Sequence, residues 1–507
     1  MAWLNFFKRT PKPTQKRSYA GAAVSHLFSK WAMAPVNINQ TLFQDLQALR
    51  TRSRDLCMNN AYASRYIGMV IANVVGEKGM MFQPMTLAGD GKLDQKTNTT
   101  LRDSWSDFCL PQNCSLDGRQ NFIGMQESAQ VHIVRDGECF VRLHKSNQFK
   151  YGLKLQIIDP DNVDVNLNHE LSGGRRITMG IELDTQGIVQ AYYIKTAKEH
   201  PDATYVRQNH YVRVPASEML HLGRIERPGQ LRFAPWLAPV MTKLKQLDGF
   251  IEAEIIAARI ASCKSIFFTQ TEAAAGNTDP ASALADEKTD RGEFIENIEP
   301  GATNVVPDGY QMNSFNPTHP NGNYAEFVGD FVRTMAMGLN VSAHSFSGNL
   351  KGMSWSSGRM AAADERDHWR SVQAYLRDFF CLPIYNQWLE TALLTGLKNL
   401  NPINIDNMRR VTFRGRGFAY VDPVKEIQAD MLGVQLGVKT RTEICQKLGT
   451  EFNDVVAQLA DEKATMQAAG VEPDEIERVL AQMPVNTDDQ EGLHYAHGNP
   501  PKNPPDN

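Results

Sequence analysis

Residues 341–357 read Val-Ser-Ala-His-Ser-Phe-Ser-Gly-Asn-Leu-Lys-Gly-Met-Ser-Trp-Ser-Ser, with six serines and two glycines. The stretch has neither helical nor strand periodicity, and Gly348 and Gly352 mark turns. A helical pattern, Tyr324 to Leu339, runs up to it. A longer one, from about Gly358 to Leu394, leaves it, with Pro383 inside predicting a kink. A long small-residue loop between two helices is uncommon in a compact domain and is either functional or disordered. Phe346 and Trp355 are apolar anchors within it, so the loop is expected to be held against the fold.

The rest of the chain frames this loop. Apolar residues at spacings of three and four predict helices from Gln44 to about Val75, broken at Asn59-Asn60 and ended by Gly76 and Gly79. Arg50, Arg52, Arg54 and Arg65 fall on their polar side and read as surface. Leu101–Phe108 and Phe122–Arg135 are further helices, the first followed by a loop around Pro111, the second by a turn at Asp136-Gly137-Glu138. Strand signals follow at Cys139–His144, Leu153–Ile158, Thr178–Leu183, Val189–Ile194 and Tyr205–Val214, predicting one small, largely antiparallel sheet. His221–Gln230 reads as a loop. Trp236 to about Ala261 carries Val240, Leu244, Leu247, Ile251 and Ile255 on one stripe, a helix of about 39 Å. Strands at 266–268 and 304–310 lie between it and the Tyr324 helix, giving an out-and-back helical hairpin with a small domain at its tip. Arg409–Arg416 is a strand candidate. Three helices close the pattern: Val424–Leu436 behind Pro423, Thr442–Leu448 capped by Thr440, and Asn453–Ala469.

Several chemistries are excluded by what is missing. No phosphate-binding G-x-x-x-x-G-K-[ST] occurs, no G-x-G-x-x-G opens a helix, and neither G-x-S-x-G nor H-E-x-x-H is present. His132, His144 and His221 lie in or beside predicted elements and read as structural. His494 and His497 have no further ligand in view. The seven cysteines form no C-x-x-C and fit a reducing compartment. No run of apolar residues is long enough for a membrane span. A non-enzymatic, binding or structural protein without a cofactor is the expectation. An enzyme with an unrecognised site is the alternative. The net charge is only −4, but residues 1–30 hold six bases and no acid, and from Asp461 onward ten acids face three bases. Both ends read as solvated tails with different partners.

The order of several blocks resembles lambda-family phage portal proteins. Arg52-Ser-Arg-Asp-Leu-Cys-Met-Asn-Asn-Ala-Tyr62, continuing to Ile71-Ala-Asn-Val-Val-Gly76, is similar to the opening signature of that family. Asp136-Gly-Glu-Cys-Phe-Val141 resembles its next block, as does Val214-Pro-Ala through His221 to Arg227-Pro-Gly-Gln-Leu-Arg232. Phe233-Ala-Pro-Trp-Leu-Ala-Pro239 is close to the following one but lacks its glycine. Glu299-Pro-Gly301, Tyr324 to Val341, Ser354–Arg359 and Val421-Asp-Pro423 complete a series spanning about residues 45–460.

The resemblance implies an α+β portal-type subunit: an α/β wing (44–235), a two-helix stem (236–262 and 321–340) and a small α/β clip (263–320). A channel loop (341–357), a long kinked helix with wing return (358–421) and a helical crown (422–470) complete it, between a basic arm (1–43) and an acidic, proline-rich tail (471–507). It implies a homo-oligomeric ring, typically of twelve, at one capsid vertex; a capsid-associated scaffold or a phage DNA-processing enzyme with an unrecognised site is the alternative. Its partners would be non-sequence-specific double-stranded DNA, the large terminase subunit, major capsid and scaffold proteins, and head-completion or tail proteins, with no membrane. In a ring one lysine becomes a belt around the axis. Lys351, Arg359 and Asn349 at the loop, with Lys243 and Lys245 on the stem, are therefore expected to face DNA. Lys243 and Lys245 stand beside Asp248 and Glu252, a mixed lining that suits sliding. Trp355 is expected to pack the loop back on its own helix.

Overall fold

Asn60 does two jobs at the break in the first helical pattern. Its backbone N–H donates to Leu56 O at 2.8 Å, closing α1 (Ile38–Asn59), and its side-chain oxygen accepts from Ala63 N at 3.0 Å, opening α2 (Ala61–Val70). Helix α1 starts at Ile38 rather than Gln44, because Asn37 caps it from outside the apolar repeat. The computed structural model describes residues 36–196, 210–262, 266–270, 310–314, 323–395, 397, 400–418, 422–450 and 452–470. Both tails, residues 205–209 of one expected strand and most of 263–320 lie outside the described residues. The chain divides at Phe413 and Arg414 into two units.

In the first unit α2 runs into a π-turn, Ile71–Val75, ended by Gly76 at φ 65°. Strand β1 (Met81–Pro84) and α3 (Gln95–Phe108) follow; α3 begins earlier than the apolar repeat because Asp94 caps it. The loop expected around Pro111 is a single helical turn, α4 (Pro111–Cys114), with proline at its first position. Helix α5 (Phe122–Asp136) ends at Gly137, whose φ of 91° lets the chain reverse directly into β2 (Glu138–Lys145).

The one expected sheet is two. Strand β2 lies between β3 (Leu153–Ile158) and a strand the loop reading of 221–230 did not anticipate. The second sheet takes β4 (His169–Glu170), β5 (Arg176–Thr178), β6 (Ile181–Leu183), β7 (Val189–Thr196) and β8 (His210–Pro215) in sequence order, all antiparallel. The unanticipated strand is β9 (Met219–Gly223), which puts His221 opposite Phe140. The expected single strand 178–183 is a hairpin: Met179 and Gly180 both take positive φ and turn the chain between β5 and β6.

The long helix expected from Trp236 is α6 (Met241–Ser262), about 33 Å long. Residues 236–240 are turns between Pro235 and Pro239, where Trp236 N donates to Val134 O at 3.0 Å. Of the expected stripe, Val240, Leu244 and Leu247 are buried, whereas Ile255 is half exposed. Strand β10 (Ile266–Gln270) pairs antiparallel with β11 (Tyr310–Ser314), placing the return strand later than residues 304–310. Helix α7 (Tyr324–Gly338) comes back along α6: the Phe250 ring stacks on Tyr324 at 5.9 Å and meets Phe327 at 4.8 Å. At Gly338 a Cβ would stand 2.7 Å from Val240 Cγ1, so a side chain there would force the pair apart.

A short helix, α8 (Ala343–Ser347), and a long one, α9 (Trp355–Leu376), follow. The kink expected at Pro383 takes the form of a π-turn, Arg377–Cys381, before α10 (Leu382–Thr395). Proline has no N–H and crowds the carbonyl four residues back. The π-turn absorbs the misfit by a wider bond, Leu382 N to Arg377 O. After α11 (Ile405–Met408), β12 (Val411–Arg414) pairs with β1, a shorter strand than Arg409–Arg416. Trp105 sits where these pieces meet, with Phe82, Phe108, Phe122, Tyr385, Trp388 and Phe413 ring centroids 5.1–5.8 Å away.

The second unit holds α12 (Pro423–Gln435), capped by Asp422, α13 (Arg441–Lys447), opened by a Thr440–Glu443 capping box, and α14 (Phe452–Ala468), each within two residues of its expected place.

Because Trp105 is buried and edge-on to partners from α5, α10 and β12, Trp105→Ala should cost about 3–5 kcal/mol, read as a lower urea midpoint at unchanged slope.

Candidate functional site

Serines and glycines give the 341–357 segment its shape. Asn340 takes φ 55°, ending α7, and Ser342 then caps α8: its Oγ accepts from Ser345 N at 3.1 Å. Gly348, at φ 72°, stops α8 after one turn and a half. His344 Nδ1 is 2.9 Å from Asn349 O, and Asn349 Oδ1 accepts from Lys351 N at 2.9 Å. Ser354 caps α9, accepting from Ser357 N at 3.3 Å, so that helix starts at Trp355, not Gly358. What reads as one irregular loop is thus a docked helical turn followed by an exposed turn, 349–353. Ser and Asn hide such turns from periodicity because their side chains satisfy the backbone locally.

Helix α2 holds α8 down. Phe346 is fully buried and stacks on Tyr62 at 5.4 Å. Arg65 Nε donates to Ser345 O at 2.8 Å, and Tyr66 OH donates to Leu339 O at 3.3 Å. Glu365, on α9, accepts from Ser342 N at 3.3 Å and from Trp369 Nε1 at 3.2 Å. Asn349 and Lys351 share the exposed turn with Leu350, which is 66% exposed; Arg359 is exposed on the first turn and a half of α9. Lys243 and Lys245 stand on the opening turns of α6, the first half-buried and the second exposed beside Arg52 and Asp55 of α1. The structure brings Lys351 and Asn349 together and leaves Lys243 and Lys245 on a different element. The side chain of Trp355 lies outside the described residues, as does its expected packing.

Beneath this segment, α1, β2 and β9 meet in a buried ionic cluster. Arg50, expected on the surface, is 2% exposed. Its Nη2 donates to Glu138 Oε1 at 2.7 Å and its Nη1 to Asp161 Oδ1 at 2.7 Å. Arg232, fully buried, donates to Glu138 Oε1 at 2.5 Å from Nη2 and to the Met179 and Val163 carbonyls at 2.7 and 3.0 Å from Nη1. His221 Nε2 is 3.0 Å from Glu138 Oε2. Beside it, Asp136 takes Arg54 Nε at 2.6 Å and His132 Nδ1 at 2.6 Å. Arg50 lies on a helix and Arg232 in a loop, with no repeat to betray either; Asp136-Gly137-Glu138 read only as a turn. Burial alone would push the Glu138 carboxyl up, but Arg232, the His221 hydrogen bond and Arg50 together hold it well below the usual carboxylate range. Burial pushes the His221 imidazole down and outweighs the Glu138 carboxylate.

No three His, Cys, Asp or Glu side chains form a metal-sized group among the described residues, and no described helix is long and apolar enough to cross a membrane. The site is one of shape and charge. The model of the phage portal protein family, lambda type, matches residues 25–373.

The chain belongs to the lambda family of phage portal proteins.

A probable portal protein of Halomonas phage phiHAP-1 is 27% identical over 464 residues, covering 91% of this chain and 89% of that one. Portal protein B of Escherichia phage lambda is 21% identical, covering 91% and 92%. The neck of a native gene transfer agent particle, computed with C12 symmetry, overlays with a TM-score of 0.43 at 9% identity, over 80% of this chain and 94% of that one. As a portal protein the chain is a component of the phage particle, and the family is structural. The mixed helix-and-sheet portal fold carries the family's blocks in the expected order, with Asp136–Val141 and 214–232 converging on the ionic cluster.

Removing Glu138 strands two buried guanidinium groups, so Glu138→Ala should destabilise the first unit by about 3–5 kcal/mol. The wild-type chain should also lose stability in acid. The depressed Glu138 contributes stability that is complete above its ordinary value of 4.5 and is lost as pH falls toward the folded value. His221, lowered from 6.5, adds the same sign, because below 6.5 the unfolded chain takes a proton the folded one refuses. Thermal melts at fixed ionic strength should show Tm flat from pH 7 to 8 and falling progressively below about 6.5.

Proposed function

We propose that this portal protein assembles into a ring, typically of twelve, at one capsid vertex, where it forms the conduit for DNA entering and leaving the head. The family membership, over more than two thirds of the chain, is the observation that carries this reading. In the same reading the ring is the docking point for the terminase and, later, for head-completion and tail proteins, and it contacts major capsid and scaffold proteins during assembly. The chain acts without a catalytic site of its own; the packaging motor supplies the work.

The wing is the first sheet-and-helix region, the stem is α6 with α7, the clip holds β10 and β11, and the crown is α12–α14. The 349–353 turn is the part that meets DNA. It is exposed and carries Lys351 and Asn349, with Arg359 close behind in sequence, on a base fixed by Phe346, Arg65 and Glu365. Such an arrangement keeps a cation in place while leaving the turn able to yield. Lys243 and Lys245 extend the same contact along the stem, where Asp248 and Glu252 prevent a continuous basic strip. Duplex DNA carries one charge per ~1.7 Å, so belts of single lysines touch phosphates without reading bases.

Lys351→Glu combined with Arg359→Glu should leave ring mass unchanged by native mass spectrometry. Packaged DNA per particle should fall roughly tenfold, since each subunit repeats the lost phosphate contact. Intact rings that package at the wild-type level would defeat the channel-loop assignment.

A further inference from the structure

The second unit is built inside out. On α12 the inward positions are Glu426, Asp430 and Gly433, a stripe with helical spacing. Asp430 is 4% exposed and takes Lys439 Nζ at 2.8 Å and Lys447 Nζ at 3.6 Å; Lys447 also reaches Glu426 at 3.6 Å. Gly433 makes room for this: a Cβ there would stand 2.9 Å from Lys439 Cδ. On the opposite side of the same helix, Val424, Ile427, Met431, Leu432 and Leu436 are 45–75% exposed. A surface helix of a self-sufficient fold shows the reverse pattern, apolar side in and charges out. Five exposed aliphatic side chains on one side of a helix argue for an interface rather than a solvated face.

We infer that the apolar face of α12 is covered by a second copy of this chain, in the ring read above, on which this inference rests. A ring contact is heterologous and needs two different, complementary patches on one molecule. The unit carries both. Helix α14 exposes Val456 and Leu459, with Asp461 and Glu462 exposed next to them. The starts of α12 and α13 expose Lys425 and Arg441. Apolar meets apolar and acid meets base when α14 of one copy lies on α12 of the next. The inward carboxylates of Asp430 and Glu426, each met by a part-exposed lysine, then set the helix rotation that keeps the aliphatic side outward. The second unit thereby completes its own core only on assembly.

The test uses the full chain in a Cys445→Ser background carrying Ile427→Cys and Leu459→Cys, treated with a short bismaleimide. Native mass spectrometry is run in parallel, and hydrogen exchange is measured on rings and on monomers diluted from them. The inference expects cross-linked ladders of dimers and higher species from the double variant and not from either single one. It also expects α12 amides to exchange at least roughly tenfold more slowly in the ring. Rings that give only monomer-sized cross-linked species would overturn it, since the face would then be covered within one chain. Rings whose α12 amides exchange as fast as in the monomer would overturn it too, leaving the ring reading intact. If no rings form at assembly concentrations, the ring reading itself falls and takes this inference with it.

Discussion

The buried carboxylate of Glu138 is the constraint from which the first unit takes its arrangement. A carboxylate without water needs its lone pairs filled, and here two guanidinium groups, an imidazole and the Phe233 N–H do so. The four donors come from three stretches of chain: α1, the 232–233 segment and β9. Arg232 in turn fills the Pro160, Val163 and Met179 carbonyls, so the hairpin between β5 and β6 and the turn after β3 are tied to the same point. An apolar core of equal size would hold these pieces as firmly but less specifically. A hydrophobic contact tolerates sliding, whereas six directed hydrogen bonds to one carboxylate allow a single register.

That register reaches the exposed loop through α1 and α2. Arg50 and Arg54 fix α1 against Glu138, Asp136, Asp159 and Asp161. Asn60 closes α1, opens α2 and donates to Asp248 of α6 at 2.7 Å, so the break between the two helices is also a tie to α6. Helix α2 then presents Tyr62, Arg65 and Tyr66 to α8 and to the end of α7. A chain of directed contacts therefore runs from the buried cluster to the base of the 349–353 turn. The turn itself has few packed side chains, with Leu350 largely exposed. Rigid below and sparse above, the segment is fixed at its base and free to yield at its tip.

Periodicity exposed the elements whose burial is one-sided. The break at Asn59-Asn60, the α6–α7 hairpin, the burial of Phe346 and the Thr440 cap were all legible because each leaves a local mark: a cap residue, a stripe or a lone aromatic among small residues. Arg50 and Arg232 were not. An arginine on a helix reads as solvent-facing unless its partner is known, and Glu138 lies far away in sequence. Strand β9 was missed because His221 and Gly223 dilute a five-residue apolar alternation. The hairpin at Met179-Gly180 was missed because methionine rarely takes positive φ. The α8 turn was missed because Ser342 caps a helix too short to show a repeat. The portal blocks located the conserved-type segments in order, but their meeting point is a property of the fold.

The two units use the same ingredients in opposite ways, and the difference lies in how completely each buried charge is satisfied. Glu138 is surrounded by arginines, whose planar donors meet both carboxylate oxygens and whose remaining N–H groups find carbonyls, inside a unit with a large aromatic and aliphatic core. Its ionic cluster adds specificity to a fold that already has hydrophobic stabilisation. Asp430 and Glu426 are met by lysines, single-point donors on flexible stems, one of them at 3.6 Å from both acids. Half-exposed lysine pairs of this kind contribute little net stability. A unit that spends its interior on them and its aliphatic residues on the outside has moved its hydrophobic stabilisation to a surface it must share. Its stability is then tied to concentration and assembly, as for any fold completed by a partner.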